Sequence, residues 1–328
     1  MTDADRKQIA ILRILDQAQE SLGAGKIAVE LRDYGIDLEE RAVRYHLDAL
    51  DQLGFTEPRG RRGRQITSAG RRELESARVA DKVNLVLARL EAFAYLTTLD
   101  TATGHGDVPL NISFVPRASR DAALHVMRPI LNSGFATSRR LLILEAGEHA
   151  GNQEVPADWV GIGTVCSVAI NGVLLKAGVP IHSLFGGLLS VEGRRPRRFT
   201  ELVHYGYTSM DPLEVFIKSG RTSVTHAVTN GVGVVGASFR EFPGVAHGHV
   251  LEVLEAVGPW GITSALAVGS ASCPVFEADV PPGRCGLVIA AGLNPIAAVE
   301  ESGIPTRSHA MTAMFSFEAL TDVNDLLR

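Results

Sequence analysis

Five short internal matches, offset by 123 to 125 residues, constrain the fold of this chain more than any other sequence feature. Residues 125–134 resemble 249–258, and residues 163–171 resemble 286–294. The shorter matches are Val155-Pro156 with Val280-Pro281, Gly178-Val-Pro180 with Gly303-Ile-Pro305, and Ser113-Phe114 with Ser238-Phe239. A nearly constant offset indicates a structural repeat. Two related halves are therefore predicted, about 106–203 and 231–322, and the segment 204–230 between them has no counterpart.

Each half shows the pattern strand, helix, strand, strand, helix. In the first half the predicted elements cover 110–115, 119–133, 140–146, 161–170 and 172–177. Short apolar strands that alternate with amphipathic helices favour a small α/β layer packed by a helix pair. We expect the two halves to face each other about a pseudo-two-fold axis.

A three-helix pattern precedes the repeat. Its apolar side chains recur at helical spacing; they are Ile9, Leu12, Ile14, Leu15, Ala28, Leu31, Val43, Leu47 and Leu50. In the third predicted helix, 38–53, the side chains of Arg41, Arg44 and Tyr45 face the opposite side. Gly54 follows where a helix C-cap belongs.

Residues 55–67 are predicted to form a β-hairpin, and a fourth helix follows from Ser68. The hairpin turn contains four arginines among its glycines: Arg59, Arg61, Arg62 and Arg64. Glycine allows a tight turn, and arginine side chains can reach phosphates or a minor groove. Helices and hairpin together predict a winged helix-turn-helix that binds double-stranded DNA through Arg41, Arg44, Tyr45 and these four arginines. A winged helix that contacts protein is the alternative.

Three segments are predicted: a winged-helix domain at 1–78, a linker helix at 79–100 and an α/β domain at 101–328. The fold class is thus mixed, α+β with an α/β effector domain of two pseudo-symmetric halves. Apolar residues from Val79 to Phe93 form a stripe along the linker helix. This stripe is expected to pack either on the effector domain or on a second subunit.

Charge is distributed unevenly along the 328 residues. The net charge is −5, yet residues 55–72 contain six arginines and one glutamate. Affinity for nucleic acid would therefore come from a local patch. Three cysteines (Cys166, Cys273 and Cys285) lack metal-ligand spacing, so no metal or cofactor is predicted. Because no signal or long apolar run is present, a cytoplasmic protein without a membrane partner is expected.

Two features predict an anion site in the effector domain. In both halves an apolar strand ends in asparagine where a helix begins, at Asn171 and Asn294. Helix N-termini attract anions, although plain helix capping would explain either asparagine alone. The second feature is a set of polar residues in or near the unrepeated segment. The complete set of predicted effector-binding residues is Cys166, Asn171, Thr208, Ser209, Thr222, Ser223, Arg240 and Asn294.

Several stretches resemble the NrpR family of nitrogen-regulation repressors. They are Glu40–Leu47, Gly163–Ser167 with Leu174–Gly178, Thr208–Phe216, Arg240–Pro243 and Asn294–Ala298. The resemblance covers nearly the whole chain. It implies a homodimeric repressor of nitrogen-assimilation genes whose DNA affinity is lowered by 2-oxoglutarate, a dicarboxylate effector.

An enzyme fused to a winged helix, acting on a small carboxylate, is the competing class. It would need a convergent acid/base pair, and no pair with convincing spacing is evident in the sequence. No phosphate-binding loop, nucleophile elbow or Cys-x-x-Cys motif is present either. We therefore expect a regulator rather than an enzyme.

Overall fold

The computed structural model describes residues 3–18, 20–81, 85–151 and 153–327. The chain divides into two compact units, residues 1–83 and 84–328. The helix predicted over 79–100 corresponds to the end of one helix, Ser68–Asp81, and to a second helix, Leu85–Leu96, which belongs to the larger unit. Within the described ranges, no helix has both the length and the apolar character needed to span a bilayer.

The first unit has the winged helix-turn-helix order that the sequence predicts. Its elements are α1 (Asp3–Ala18), α2 (Ala24–Glu30), α3 (Glu40–Gln52), β1 (Thr56–Pro58), β2 (Arg64–Ile66) and α4 (Ser68–Asp81). Strands β1 and β2 pair antiparallel, from Thr56 opposite Ile66 to Pro58 opposite Arg64. The winged-helix prediction is thereby confirmed.

Helix α3 is held by its apolar stripe and by its C-terminal motif. Three inward-facing side chains are buried, as their spacing predicts: Val43, Leu47 and Leu50. At the end of the helix Gly54 has φ 72°. Its N–H donates to the Asp51 carbonyl, and the Phe55 N–H donates to the Leu50 carbonyl. These two bonds form a Schellman motif, which satisfies carbonyls that the helix end leaves free.

The hairpin is held against the segment between α1 and α2. Leu22 and Arg64 exchange both backbone hydrogen bonds, each of 2.9 Å. Gly63 lies in this contact with φ 100°, and a Cβ there would be 2.0 Å from the Leu22 carbonyl oxygen. Only glycine fits this position, which explains one of the glycines among the turn arginines.

The second unit repeats one pattern of elements. Its elements are α5 (Leu85–Leu96), β3 (Asp107–Pro116), α6 (Arg120–Leu131), β4 (Arg140–Leu144), β5 (His149–Ala150), β6 (Gln153–Glu154), β7 (Trp159–Val165), α7 (Val168–Lys176), β8 (His182–Glu192), β9 (Arg195–His204), α8 (Pro212–Lys218), α9 (Val224–Thr229), β10 (Val232–Pro243), α10 (His247–Ala256), β11 (Ala265–Val268), β12 (Arg284–Ala290), α11 (Asn294–Glu301), β13 (Arg307–Ser316), β14 (Thr321–Asp322) and α12 (Val323–Leu326). Strand, helix, strand, strand, helix, strand occurs first as β3-α6-β4-β7-α7-β8. It recurs as β10-α10-β11-β12-α11-β13.

The two halves exchange their last strands. One five-stranded sheet has the order β11-β12-β10-β8-β9, and the other has the order β13-β3-β7-β4-β14. Strand β8 of the first half therefore pairs with β10 of the second, and β13 of the second pairs with β3 of the first. The internal repeat predicted the two halves but not this exchange, because the predicted strand-helix-strand-strand-helix pattern ended one strand too early.

The exchange gives two cores, and each contains residues of both halves. One core joins Leu124 of α6 to Ile296 of α11. The other core joins Ile170 of α7 to Val250 of α10. Because α6 corresponds to α10 and α7 to α11, the two cores are related by the pseudo-two-fold repeat.

Helix α5 packs within the second unit. Gly172 of α7 allows the close approach, since a Cβ there would lie 2.2 Å from the Thr97 Cβ atom. Leu90 of α5 packs in a small apolar cluster with Cys166 and Tyr205. The stripe predicted for the linker thus contacts the effector domain of its own chain. The side chains of Val79 and Val83 lie outside the described part.

Candidate DNA interface and effector site

Helix α3 presents three of the predicted DNA-contacting side chains to solvent. Arg41, Arg44 and Tyr45 are all exposed, Tyr45 by 73%. Arg44 pairs with Glu40 one turn earlier, and both of these side chains are at least half exposed. Such a pair contributes only about 0.3–0.5 kcal/mol. A phosphate or base can therefore replace Glu40 as the partner of Arg44.

The hairpin arginines do not form one uniform set. Arg62 is exposed and makes no ion pair with any residue that the structure describes. Arg59 pairs with Glu57 and donates through Nε to the Gln65 side chain at 3.2 Å. The side chain of Arg61 lies outside the described part. Arg59 and Arg62 are thus the hairpin arginines that the structure leaves accessible.

Arg64 has a role in addition to the one predicted. Its side chain is 27% exposed and donates to Asp48 at 2.8 Å and to Asp51 at 3.0 Å. Both carboxylates belong to α3, so Arg64 connects the β1–β2 hairpin to helix α3. Its DNA contact stays a prediction, and the two ion pairs with Asp48 and Asp51 were not visible in the sequence spacing.

Arg240 is the largest fully buried side chain among the described residues, with 1% exposed. Its guanidinium donates to Ser238 Oγ at 2.7 Å, to Ser167 Oγ at 3.0 Å and to the Asn171 side-chain oxygen. Asn171 in turn donates to Ser183 Oγ at 2.8 Å. These partners are neutral, and no carboxylate of the described residues forms an ion pair with Arg240. A buried cation without a counter-ion is costly, so this arrangement is suited to an anionic ligand.

Two helix N-termini meet next to Arg240. Ser167 precedes α7 and Leu293 lies just before α11, and both line one small cavity of about 20 Å³. Gly292 allows the two strand-to-helix turns to touch, since a Cβ there would be 2.2 Å from the Val165 carbonyl oxygen. Each N-terminus carries a partial positive charge. Both helix ends therefore favour an anion at the same place.

A larger cavity of about 160 Å³ adjoins the small one. It is lined by Val86, Arg89, Ser209, Met210, Asp211, Glu214, Ala310 and Met311. Asp211, Ala310 and Met311 line both cavities. An apolar cavity of about 150 Å³ can hold benzene, so this space is of the size needed for a small metabolite.

Burial shifts the pKa values of titratable side chains in and beside the two cavities. Burial and, to a smaller extent, the neighbouring Glu214 carboxylate together raise the pKa of Asp211 to about 6. Burial likewise raises the pKa of Glu214. The pKa of the Cys166 thiol is raised to about 12 by burial, so this side chain is neutral at physiological pH. Burial lowers the pKa of Arg240, whose charge is paired only with dipoles.

The two predicted helix-start asparagines do not cap their helices. Asn171 lies inside α7, where it orients Arg240. Asn294 is the first residue of α11, and its side chain is fully used. Its oxygen accepts from the Gly236 N–H, and its Nδ2 donates to the carbonyls of Phe135 and Gly236, all at 2.8 Å. Asn294 therefore fastens α11 to β10 and has no free polar atom for a ligand.

The hydroxyl residues of the unrepeated segment are divided among three environments. Ser209 lines the 160 Å³ cavity. The Thr208 hydroxyl forms a local turn by donating to the Met210 carbonyl at 2.7 Å. Thr222 and Ser223 line a separate cavity of about 620 Å³. Of the eight predicted residues, Cys166 and Ser209 thus line the two adjoining cavities, and Asn171 and Arg240 are linked to the cavity residue Ser167 by hydrogen bonds. The other four line neither of these cavities: Thr208, Thr222, Ser223 and Asn294.

Sequence reasoning missed several residues of this site: Arg89, Ser167, Ser183, Tyr205, Asp211, Glu214 and Ser238. Asp211 and Glu214 lie in the Thr208–Phe216 stretch on which the family resemblance relied, so that stretch could have indicated them. Arg89 is on α5 and donates to the Met311 carbonyl. Nothing in the local sequence connects it with this cavity. Among the described residues, no group of three or more His, Cys, Asp or Glu side chains could hold a metal ion.

The fold defines a class of protein: a winged-helix domain joined to an α/β domain of two related halves. Residues 83–322 match the family model of the NrpR regulatory domains NRD1 and 2, and residues 9–74 match that of the ribonuclease R winged-helix domain. The chain belongs to the NrpR family.

Relatives match over nearly the whole chain. The global nitrogen regulator NrpRI of Methanosarcina mazei is 33% identical over 97% of this chain and 98% of its own. The global nitrogen regulators NrpR of Methanocaldococcus jannaschii and Methanococcus maripaludis are 31% and 30% identical over 98% and 93% of this chain. This chain covers 55% and 53% of their lengths.

A solved structure shares the regulatory fold. The crystal structure of a nitrogen repressor-like protein from Methanococcus jannaschii superimposes with a TM-score of 0.62 and 26% sequence identity. The match covers 73% of this chain and 98% of that one.

Proposed function

We propose that this chain represses nitrogen-assimilation genes by binding operator DNA as a homodimer, and that 2-oxoglutarate releases it. The observation that carries the effector part is the buried guanidinium of Arg240, which has neutral partners and lies beside two helix N-termini. A carboxylate supplies the missing counter-charge. The named relatives are global nitrogen regulators, which supports the regulatory role.

A dicarboxylate suits the two connected cavities better than a monocarboxylate. Arg240 borders the small cavity through its partner Ser167, and Arg89 lines the larger one. Asp211 and Glu214 also line the larger cavity, and protonation of Asp211, whose pKa is raised to about 6, would reduce the repulsion that a dianion meets there. These features support a binding site with a positive charge at each end, from Arg240 and Arg89, and a short cavity between them.

Calorimetric titration of the full chain tests the effector site. We expect 2-oxoglutarate to bind the wild type and its neutral dimethyl ester to bind at least tenfold more weakly. Arg240→Met removes the buried cation while keeping its bulk, so 2-oxoglutarate binding should fall at least tenfold. Arg221→Met is the matched control, because Arg221 is exposed and already pairs with Glu201. Equal losses in both variants would contradict the assignment.

The same titration repeated with DNA tests the switch. A typical coupling of about 1–3 kcal/mol weakens DNA binding roughly 5–150-fold when the effector is bound. By reciprocity, DNA must weaken effector binding by the same factor. Equal effector affinity with and without bound DNA would refute the switch. If DNA and effector weaken each other but Arg240→Met binds 2-oxoglutarate as tightly as wild type, the effector binds at a different place in the protein.

An enzyme acting on a small carboxylate is the second candidate, because Asp211 and Glu214 form an acidic pair in the cavity. Pairs of carboxyl groups with shifted pKa values also occur in acid-base catalysis. Incubation of the protein with 2-oxoglutarate, followed by proton NMR, separates the two candidates. An unchanged spectrum with saturable binding supports the effector role, and turnover that Asp211→Asn abolishes supports the enzyme.

A further inference from the structure

A second arginine-rich hairpin lies on the regulatory unit, at the turn between β8 and β9. Residues 193–198 are Gly-Arg-Arg-Pro-Arg-Arg, and residues 60–64 of the winged helix are Gly-Arg-Arg-Gly-Arg. Four of the 17 lysines and arginines after residue 83 fall within 194–198, although that part of the chain contains 22 acidic residues. The positive charge is therefore local here too, in an otherwise acidic unit.

The turn itself does not explain these arginines. Only Gly193 and Arg194 separate the strands, with φ values of 59° and 63°, and Glu192 pairs with Arg195. Positive φ at both central residues is the requirement of a type I′ turn, where glycine or asparagine is favoured. An arginine in this conformation is sterically strained. Turn formation alone would favour a different residue at position 194.

A bulge in β9 directs two consecutive arginines to solvent. Leu189 of β8 pairs with Phe199 of β9, and Val191 pairs with Pro196. One residue of β8 therefore lies opposite two residues of β9, Arg197 and Arg198. The Ser190 hydroxyl spans this place by donating to the Arg198 carbonyl at 3.2 Å. Neighbours in a regular strand face opposite sides, whereas Arg197 and Arg198 are both exposed. The bulge thus concentrates charge on the hairpin surface.

The arginines of this hairpin are weakly held. Arg195 makes no ion pair within the described part of the chain. Arg197 and Arg198 lie 3.5 and 4.0 Å from single glutamate carboxylates, and all these side chains are more than half exposed. Exposed pairs of this kind contribute little. Only Arg194 is fixed, by donating to the Thr229 carbonyl at 3.1 Å. Three guanidinium groups are therefore available to an anionic surface.

The pseudo-two-fold repeat provides an internal comparison. Strand β13 corresponds to β8, and the residues after it, 317–322, are Phe-Glu-Ala-Leu-Thr-Asp. This segment contains no arginine, and it continues into the short edge strand β14. The fold of a half therefore does not require a basic segment after its last strand.

We infer that the β8–β9 hairpin is a second DNA-contacting surface, which binds the sugar-phosphate backbone through Arg195, Arg197 and Arg198. The inference rests on the proposed DNA binding of the winged helix and adds a contact outside it. Duplex DNA is favoured over an acidic protein because the chain uses the same Gly-Arg-Arg sequence in its wing hairpin. Exposed arginines without fixed partners suit phosphates, which position a protein without specifying sequence.

Salt-dependent binding of the full chain tests the inference. The probe is a fluorescein-labelled mixed-sequence duplex of about 40 base pairs, titrated by anisotropy between about 50 and 200 mM NaCl, because the phosphate contribution is independent of sequence. The hairpin variant replaces Arg195, Arg197 and Arg198 by alanine. The charge-matched control replaces three other exposed arginines of the same unit by alanine: Arg117, Arg128 and Arg221.

Each lost phosphate contact lowers the slope of log affinity against log salt by about 0.9. We expect the slope of the hairpin variant to fall by about 2–3, with affinity at about 100 mM salt lower by at least tenfold. The control should stay within about twofold of wild type. Equal slopes for the hairpin variant and the control would overturn the inference.

A third protein separates this inference from the proposed function. In it Arg59 and Arg62 of the wing are replaced by alanine. If this wing variant binds as tightly as wild type, the winged-helix DNA interface itself fails. If it weakens while the hairpin variant does not, only the inference fails. A hairpin variant that keeps its DNA affinity but changes its light-scattering mass would assign the hairpin to a second copy of the chain, which also overturns the inference.

Discussion

Neighbouring charged residues can have opposite roles, as Arg240 and Glu241 do at the middle of β10. The sequence predicted a role in ligand binding for Arg240 but not for Glu241. In the structure the buried Arg240 donates to the neutral side chains of Asn171, Ser238 and Ser167, and Glu241 pairs with Arg284 at 2.9 Å. Strand alternation accounts for the difference, because adjacent side chains face opposite sides of a sheet.

Asp211 makes the stability of the second unit depend on pH. Its pKa is raised from 3.8 to about 6, so between these values the folded state holds a proton that the unfolded state has lost. Stability from this group is therefore complete below about pH 4 and declines as pH rises through 6. Asp211→Asn should remove the decline and stabilise the unit on the order of 2–3 kcal/mol at pH 7.

Melting curves of wild type and Asp211→Asn between pH 4 and 8 check this expectation. Asparagine keeps the side-chain oxygen that accepts the Leu213 N–H at the start of α8, so the helix cap is preserved. Asp121→Asn, on the exposed side of α6, controls for the loss of a carboxylate. A constant difference between wild type and Asp211→Asn across this range would show that Asp211 is not the titrating group.

Residue roles were predictable where they depend on neighbours in the sequence. Gly54 was assigned to the end of α3 because a helix end needs a left-handed residue close by. The role of Arg64 was missed because Asp48 and Asp51 approach it only after the hairpin folds back. Asn294 was assigned to an anion site because its motif indicates a helix start. Its three hydrogen bonds are made with strand β10 and with Phe135, which no local pattern shows.

The ion pairs of Arg64 with Asp48 and Asp51 join the β1–β2 hairpin to helix α3. Arg64→Ala removes two ion pairs that are partly shielded from water, which should cost about 1 kcal/mol and speed hydrogen exchange of residues 56–66 about fivefold. Arg62→Ala should leave that exchange unchanged and weaken DNA binding with a salt slope lower by about 0.9. Hydrogen-exchange mass spectrometry and anisotropy measure the two effects. Faster exchange in Arg62→Ala than in Arg64→Ala would contradict this division of roles.

Most elements were predictable from periodicity, but the sheets were not. Apolar spacing located the helices of the first unit and the repeat of the second. The predicted strand 161–170 ran into what is helix α7, because a buried helix and a buried strand are both continuously apolar. The partners of β8 and β13 depend on contacts between distant segments. Local patterns contain no information about such contacts.

At the scale of the molecule, the proposed homodimer has a direct test. The chain has a mass of 35.1 kDa, and light scattering of the wild type at micromolar concentration should give about twice this value. The physical reason is the small footprint of one winged helix, since regulators of this kind gain specificity from paired half-sites. A monomeric mass, both with and without DNA, would contradict the dimer.

The strand exchange limits how an effector could act. One way for a dicarboxylate bound between two halves to act is by changing their relative orientation. In a receptor whose lobes are joined by linkers, such a change needs only a hinge. Here β8 and β13 join the halves through antiparallel ladders of ten and seven residue pairs, each with one irregularity, between Phe239 and Arg240 in the first and between His309 and Ala313 in the second. The halves are therefore expected to respond by small adjustments at the cavity walls, including α5, rather than by opening.

The same exchange has a consequence during protein synthesis. Strand β3 (Asp107–Pro116) emerges from the ribosome long before its partner β13 (Arg307–Ser316). Until then β3 presents an unpaired edge, which can join to the edge of another nascent chain. A temperature that the folded protein tolerates should therefore aggregate chains whose translation has not reached β13, and the need for chaperones should be greatest until β13 has emerged.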